Sequence, residues 1–182
     1  MSSLAYRRDH RTVTEFGNAI KAGTEREGRL IRGWREQMLE QGSFSKIDIS
    51  DNGMDNTGTL ILDDTLVNDK ADFLISVDGG SLLPDGVHVV ELKYSPCLWK
   101  ATYKVGNLKA YIAQGAKLLT VWGLGQEDPV SWSIIDSSKM EEMLRFVEPS
   151  KNHPGMGGKP AVLIHKDIYP AFFDHIYSWE GV

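Results

Sequence analysis

The sequence predicts an α/β fold in which helices flank a central mixed β-sheet. Three observations lead there. Residues 24–41 carry Leu30, Ile31, Trp34 and Met38 at helical spacing. Short apolar runs, of which Val87–Tyr94 is the clearest, are bounded by Gly, Pro, Asp and Asn as strands are. From about residue 100 onward helical and strand patterns alternate, and a sheet with helices packed against it buries both kinds of apolar face.

Taken in order, Thr14–Ala22 reads as a short helix ended near Gly23, and Thr24–Gln41 as a longer one stopped by Gly42. Phe44–Ser50 alternates apolar and polar residues like a half-buried strand. Asp51–Gly58 is a turn by its Asp, Asn and Gly content, and Thr59–Leu62 is a second strand candidate. Ala71–Val77 is the next strand, followed by Asp78-Gly79-Gly80 and Pro84-Asp85-Gly86, a loop of strong turn chemistry. Val87–Tyr94 is a strand, Tyr103–Ala116 a helix, and Leu118–Trp122 and Val130–Ile135 are strands. Ser137–Val147 is a helix with Ser137 as its cap. Glu148–Gly158 reads as a loop, Ala161–His165 as a last strand and Tyr169–Trp179 as a closing helix. Nothing in this order asks for a division, so residues 1–182 are expected to form one domain.

Composition sets the class. The chain has 182 residues, 41% hydrophobic and 25% charged, as ordinary soluble domains do. No apolar run approaches the roughly 18 residues of a membrane span. The basic residues of Met1–Arg11 precede no apolar stretch, which argues against a signal peptide, and the single Cys97 allows no internal disulfide. A cytoplasmic setting is expected, and no membrane partner. The formal net charge of −5 is unlike that of a sequence-blind nucleic-acid coat, which needs a surplus of Lys and Arg against phosphate.

The chemistry concentrates on two strands. Asp72 opens the first; Glu91 and Lys93 stand two apart on the second, so they project from one face while Leu92 points to the core. If the strands pair, Asp72 approaches Glu91. Two carboxylates so placed, with the Leu92 carbonyl as a third oxygen, suit a hard divalent cation such as Mg²⁺. Such an ion polarises a phosphoryl oxygen and acidifies a bound water, and Lys93 supplies positive charge beside them. Glu-x-Lys on a strand is common on solvated faces, so the weight rests on the combination.

Ala71-Asp72-Phe73-Leu74-Ile75 followed by Val89-Val90-Glu91-Leu92-Lys93 resembles the signature of the PD-(D/E)XK nuclease superfamily, which includes restriction endonucleases, phage exonucleases and Holliday-junction resolvases. Ala71 stands where Pro is common. The resemblance implies a restriction-endonuclease-like sheet and a Mg²⁺-dependent nuclease, with Mn²⁺ able to substitute, that cuts DNA to leave a 5′-phosphate. It implies Asp72, Glu91 and Lys93 as catalytic residues and Asp72, Glu91 and Leu92 as metal ligands. It also implies an early helix bearing a further acidic residue. Glu27 fits that place, because Leu30, Ile31 and Trp34 follow at spacings of three, four and seven; Glu25 is the other candidate. Thr24 with Glu27 is equally a capping box, which would account for Glu27 without a metal. Lys104, Lys100 and Arg29 are the residues expected against phosphate, although scattered Lys and Arg also occur on plain solvated helix faces.

Other signals fail. Gly155–Pro160 lacks the first Gly and the Ser or Thr of a phosphate-binding loop. Asp51, Gly53 and Asp55 lack the closing Glu of a calcium loop, with Leu62 in its place. Gly123-Leu124-Gly125 is too short for a dinucleotide site. The five His show no zinc spacing, and Cys97 has no paired base. The expected function is thus a DNA endonuclease, encoded by a phage or mobile element and acting in the host cytoplasm. A homodimer would suit the cutting of two strands. The alternatives are a catalytically inactive nuclease-fold protein that binds nucleic acid or a protein, and an α/β interaction protein outside this superfamily.

Overall fold

Val13–Glu40 form one continuous helix, α1, rather than the two predicted. A computed structural model describes residues 13–52, 70–123, 130–156, 158–173 and 176–179. Gly23 does not end the helix. A glycine inside a helix costs only about 1 kcal/mol relative to Ala, and the stripe of Leu30, Ile31, Trp34 and Met38, each at most 3% exposed, anchors the helix beyond it. Thr24 therefore lies within the helix, and the capping box predicted there does not form.

The central sheet holds six strands in the order β1-β2-β3-β5-β6-β9. They are β1 (Lys46–Asp51), β2 (Phe73–Asp78), β3 (Gly86–Ser95), β5 (Lys117–Trp122), β6 (Ser131–Ile135) and β9 (Tyr177–Ser178). β1, β2 and β3 pair antiparallel, β5 joins β3 parallel, and β6 and β9 return antiparallel. A parallel neighbour requires a crossover. Here β4 (Lys100–Lys104) and helix α2 (Val105–Ala113) make it. The expected mixed sheet with flanking helices is thus observed. The strand predicted at Thr59–Leu62 and most of the predicted loop before it lie outside the described residues.

A second sheet was not anticipated. β4 pairs antiparallel with β8 (Lys159–His165), which pairs with β7 (Ser150–His153). Residues 103–104, predicted as the start of a helix, are the end of β4, and the predicted loop 148–158 contains β7 and a 3-10 turn, Pro154–Met156. Ser-Lys-Asn-His has no apolar residue to mark it as a strand; pairing with β8 makes it one.

Two more expectations are corrected. Helix α3 (Ser137–Phe146) is capped by Asp136, whose carboxylate accepts the Lys139 N–H at 3.1 Å, not by Ser137. The predicted closing helix is a 3-10 turn, Pro170–Phe172, followed by β9. Long-range packing decides this: Tyr177 stacks on Trp132 at 4.3 Å, and Trp179 lies so close to Gly33 that a Cβ there would meet its ring at 2.9 Å.

The sheet separates two cores. On one face Phe73, Ile75, Val90, Leu92, Leu119 and Val121 pack with α1. On the other, Leu118, Trp122 and Ile135 pack with α2, α3 and the second sheet. Strand alternation sends neighbouring residues of β3 into these different settings.

Candidate active site

The β2–β3 ladder ends at Phe73 opposite Val90. The same register would set Asp72 opposite Glu91, but side chains take over there. The Asp72 N–H donates to Glu91 Oε2 at 3.2 Å, and the Leu92 N–H donates to Asp72 Oδ2 at 3.2 Å. Each carboxylate thereby satisfies a main-chain donor of the facing strand, as buried polar groups require. Neighbours hold this segment from both sides. The Asn52 N–H donates to the Asp72 carbonyl at 2.9 Å, and Asn52 Nδ2 donates to the Ala71 carbonyl at 3.1 Å. The Ala71 N–H donates to Gln114 Oε1 at 3.1 Å.

Glu91 is only 2% exposed. Its Oε1 accepts from Lys93 Nζ and, at 2.5 Å, from the Tyr111 hydroxyl. Asn107 Nδ2 donates in turn to the Tyr111 oxygen at 3.2 Å, across one turn of α2. The Lys93 ammonium lies 5.9 Å from the Tyr111 ring centroid. Leu92 is fully buried on the opposite face, as expected.

The electrostatics follow from burial and crowding. Burial, then the charge of Glu91, push the Asp72 carboxyl up to about 7, against the pull of Lys93. Burial also raises Glu27, with Lys93 lowering it and Glu91 raising it, so Glu27 is within electrostatic reach of the cluster. Glu25 is exposed and borders a different groove, beside Arg32 and Arg35. Burial works against the Lys93 charge, but Glu91, Tyr111 and Asp72 outweigh it and hold the ammonium above the ordinary lysine range. Burial likewise raises the Tyr111 phenol, so it is a hydrogen-bond donor at neutral pH. The site thus offers two converging carboxylates, a fixed cation and a phenol.

Asp72 and Glu91 do converge, and their oxygens together with the Leu92 carbonyl are hard donors of the kind Mg²⁺ takes. Burial first and then the charge of Glu91 lift Asp72, and a cation between the two carboxylates would relieve the second. Among the described residues, no three His, Cys, Asp or Glu side chains stand together as a metal cluster, so Glu27 neighbours the pair without closing a third corner.

Of the basic residues, Lys104 ends β4 beside the site. Burial and the like charges of Lys159 and Lys93 lower its pKa. Lys100 begins β4, about 13 Å along the strand from Lys104. Arg29 is exposed on α1. Sequence reasoning missed Tyr111 and Asn52. The available signal was Asn107 and Tyr111 four apart, hence on one helix face.

No protein-family model matches the chain, and no curated protein matches it. Among solved structures, similarity is found to Hjc of Archaeoglobus fulgidus, a Holliday junction resolvase from an archaeal hyperthermophile. The identity is 12%, the alignment covers 78% of this chain and 92% of the other, and the TM-score is 0.38. Overlap this loose does not assign an activity; the arrangement of side chains has to carry that argument.

Proposed function

We propose that this protein is a metal-dependent nuclease that hydrolyses phosphodiester bonds of DNA at Asp72, Glu91 and Lys93. The observation that carries the reading is the meeting of Asp72 with Glu91 where the β2–β3 ladder ends, with Lys93 against the same carboxylate. Asp72, Glu91 and the Leu92 carbonyl would hold Mg²⁺ or Mn²⁺, which when bound supplies Lewis acidity and an acidified water. Lys93 keeps its proton and sets positive charge where a phosphoryl oxygen gains negative charge. Tyr111 holds Glu91 in one orientation through its short hydrogen bond, and Asn107 holds Tyr111. Glu27 adds negative charge near the pair and would strengthen its attraction for a cation. Endonuclease action and a phage or mobile-element origin belong to this reading as expectations from the sequence, and a homodimer because it would suit the cutting of two strands.

Incubation of the purified protein with linear, circular, single-stranded and branched DNA in Mg²⁺, Mn²⁺ or EDTA tests it. Cleavage is expected with either metal, not with EDTA, and not by Asp72→Ala or Lys93→Ala. No cleavage of any substrate would sink the reading. One observation favours a second reading, an inactive nuclease-fold protein that binds nucleic acid or a protein. Glu91 is already satisfied by Lys93, Tyr111 and the Asp72 N–H. A melting temperature unmoved by millimolar Mg²⁺ at pH 8 would support this second reading.

A further inference from the structure

A cavity of about 270 Å³ opens beside the carboxylate pair, between the second sheet and α2. Lys93 and Tyr111, which both touch Glu91, are also part of its wall. Ala101, Tyr103 and Leu108 line it with apolar surface, while Lys104 and Asn107 supply polar groups. Its volume is near the lower end for ligand pockets, about 300 Å³, which suits one ring system with its sugar and excludes a base pair. Its charge has one sign. Burial first, and then the like charges of Lys159 and Lys93, work against the Lys104 charge. No hydrogen bond or ion pair holds the Lys104 ammonium among the described residues. With Lys93 paired to Glu91, Lys104 is the unneutralised charge on a largely apolar wall, which marks a place for an anion joined to a flat apolar group.

We infer that this pocket receives one unstacked nucleotide next to the scissile phosphodiester, its base and sugar against the apolar wall and its phosphate against Lys104. This rests on the nuclease reading and narrows it. The substrate is a strand that can present a nucleotide outside the stack, at an end or in a single-stranded stretch, rather than an unbroken duplex. Extruding a base from a paired duplex costs energy that a free strand does not.

Binding measured in EDTA separates this inference from catalysis. The probes are a 5′-phosphorylated single-stranded 15-mer, the blunt duplex of the same sequence, and thymidine 5′-monophosphate as competitor. The single strand is expected to bind at least tenfold more tightly than the duplex, and the monophosphate to compete with it. Thr102→Trp, which fills the cavity, and Lys104→Ala, which leaves its shape, should each weaken single-strand binding at least fivefold and change duplex binding less than twofold. Unaltered melting would show that both variants are folded, and Lys104→Ala serves alone if Thr102→Trp does not fold. Equal affinity for both DNA forms, or equal losses on both, overturns the inference. Loss of cleavage in Mg²⁺ with this binding pattern intact would instead bring down the nuclease reading alone.

Discussion

Residues 90–93 of β3 serve two different environments. Val90 and Leu92 are fully buried against the α1 core, whereas Glu91 and Lys93 project from the other side into a cluster of charge. The apolar side is held by area removed from water, which tolerates small adjustments. The charged side is held by directed hydrogen bonds that tolerate few. The contrast teaches that the core sets where the carboxylates stand and contributes nothing to their chemistry. The site sets the chemistry and weakens the fold, because like charges are gathered in a poorly solvated place.

Substitutions on the two sides should therefore separate activity from stability. The largest effect is expected for Lys93→Ala, which removes the cation paired with Glu91. Cleavage rate should fall by about 10³-fold, the scale of losing one preorganised charge contact. Single-turnover kinetics on the best substrate would measure it, and a rate within fivefold of wild type would break the comparison on the site side.

Trp34→Ala acts on the other side. Trp34 is fully buried in the α1 core, and its truncation should cost about 3–5 kcal/mol in urea unfolding. The fraction that remains folded in the cold should keep its cleavage rate per folded molecule. A change in that rate would mean that the two sides are less separable than their packing implies.

Asp72→Asn tests the cost of gathered charge. The Asp72 carboxyl lies at about 7 when folded against 3.8 as its ordinary value. The folded state therefore holds the proton more tightly. The resulting stability is fully present below 3.8 and is lost as pH rises through 7. In EDTA the wild type should lose more stability than Asp72→Asn between about pH 4 and 7, because Glu27 alone among the described carboxylates remains raised in the variant, and Asp72→Asn should exceed the wild type by about 4 kcal/mol at pH 8. Denaturant midpoints across that range would check the sign, and a wild type that gains stability there would refute it. The smallest effect is expected for Tyr111→Phe. Losing the hydroxyl that donates to Glu91 should cost about 1 kcal/mol and slow cleavage less than Lys93→Ala does.

Periodicity and residue type made the mixed sheet, the stripe of α1, and the trio Asp72, Glu91 and Lys93 legible in the sequence. These features repeat at short spacing, and strand geometry forces Glu91 and Lys93 onto one face whatever surrounds them. Other features depended on residues distant in the chain. Ser150–His153 is a strand because β8 is beside it, and Tyr177–Ser178 because Trp132 and Gly33 draw that segment against the sheet. Tyr111 reaches Glu91 across 20 residues, a distance no local pattern encodes. The sequence alone determined that Glu91 and Lys93 project from one face of their strand and Leu92 from the other. Tertiary structure alone decided which neighbours hold those groups in place, since such contacts exist only after distant segments are packed together.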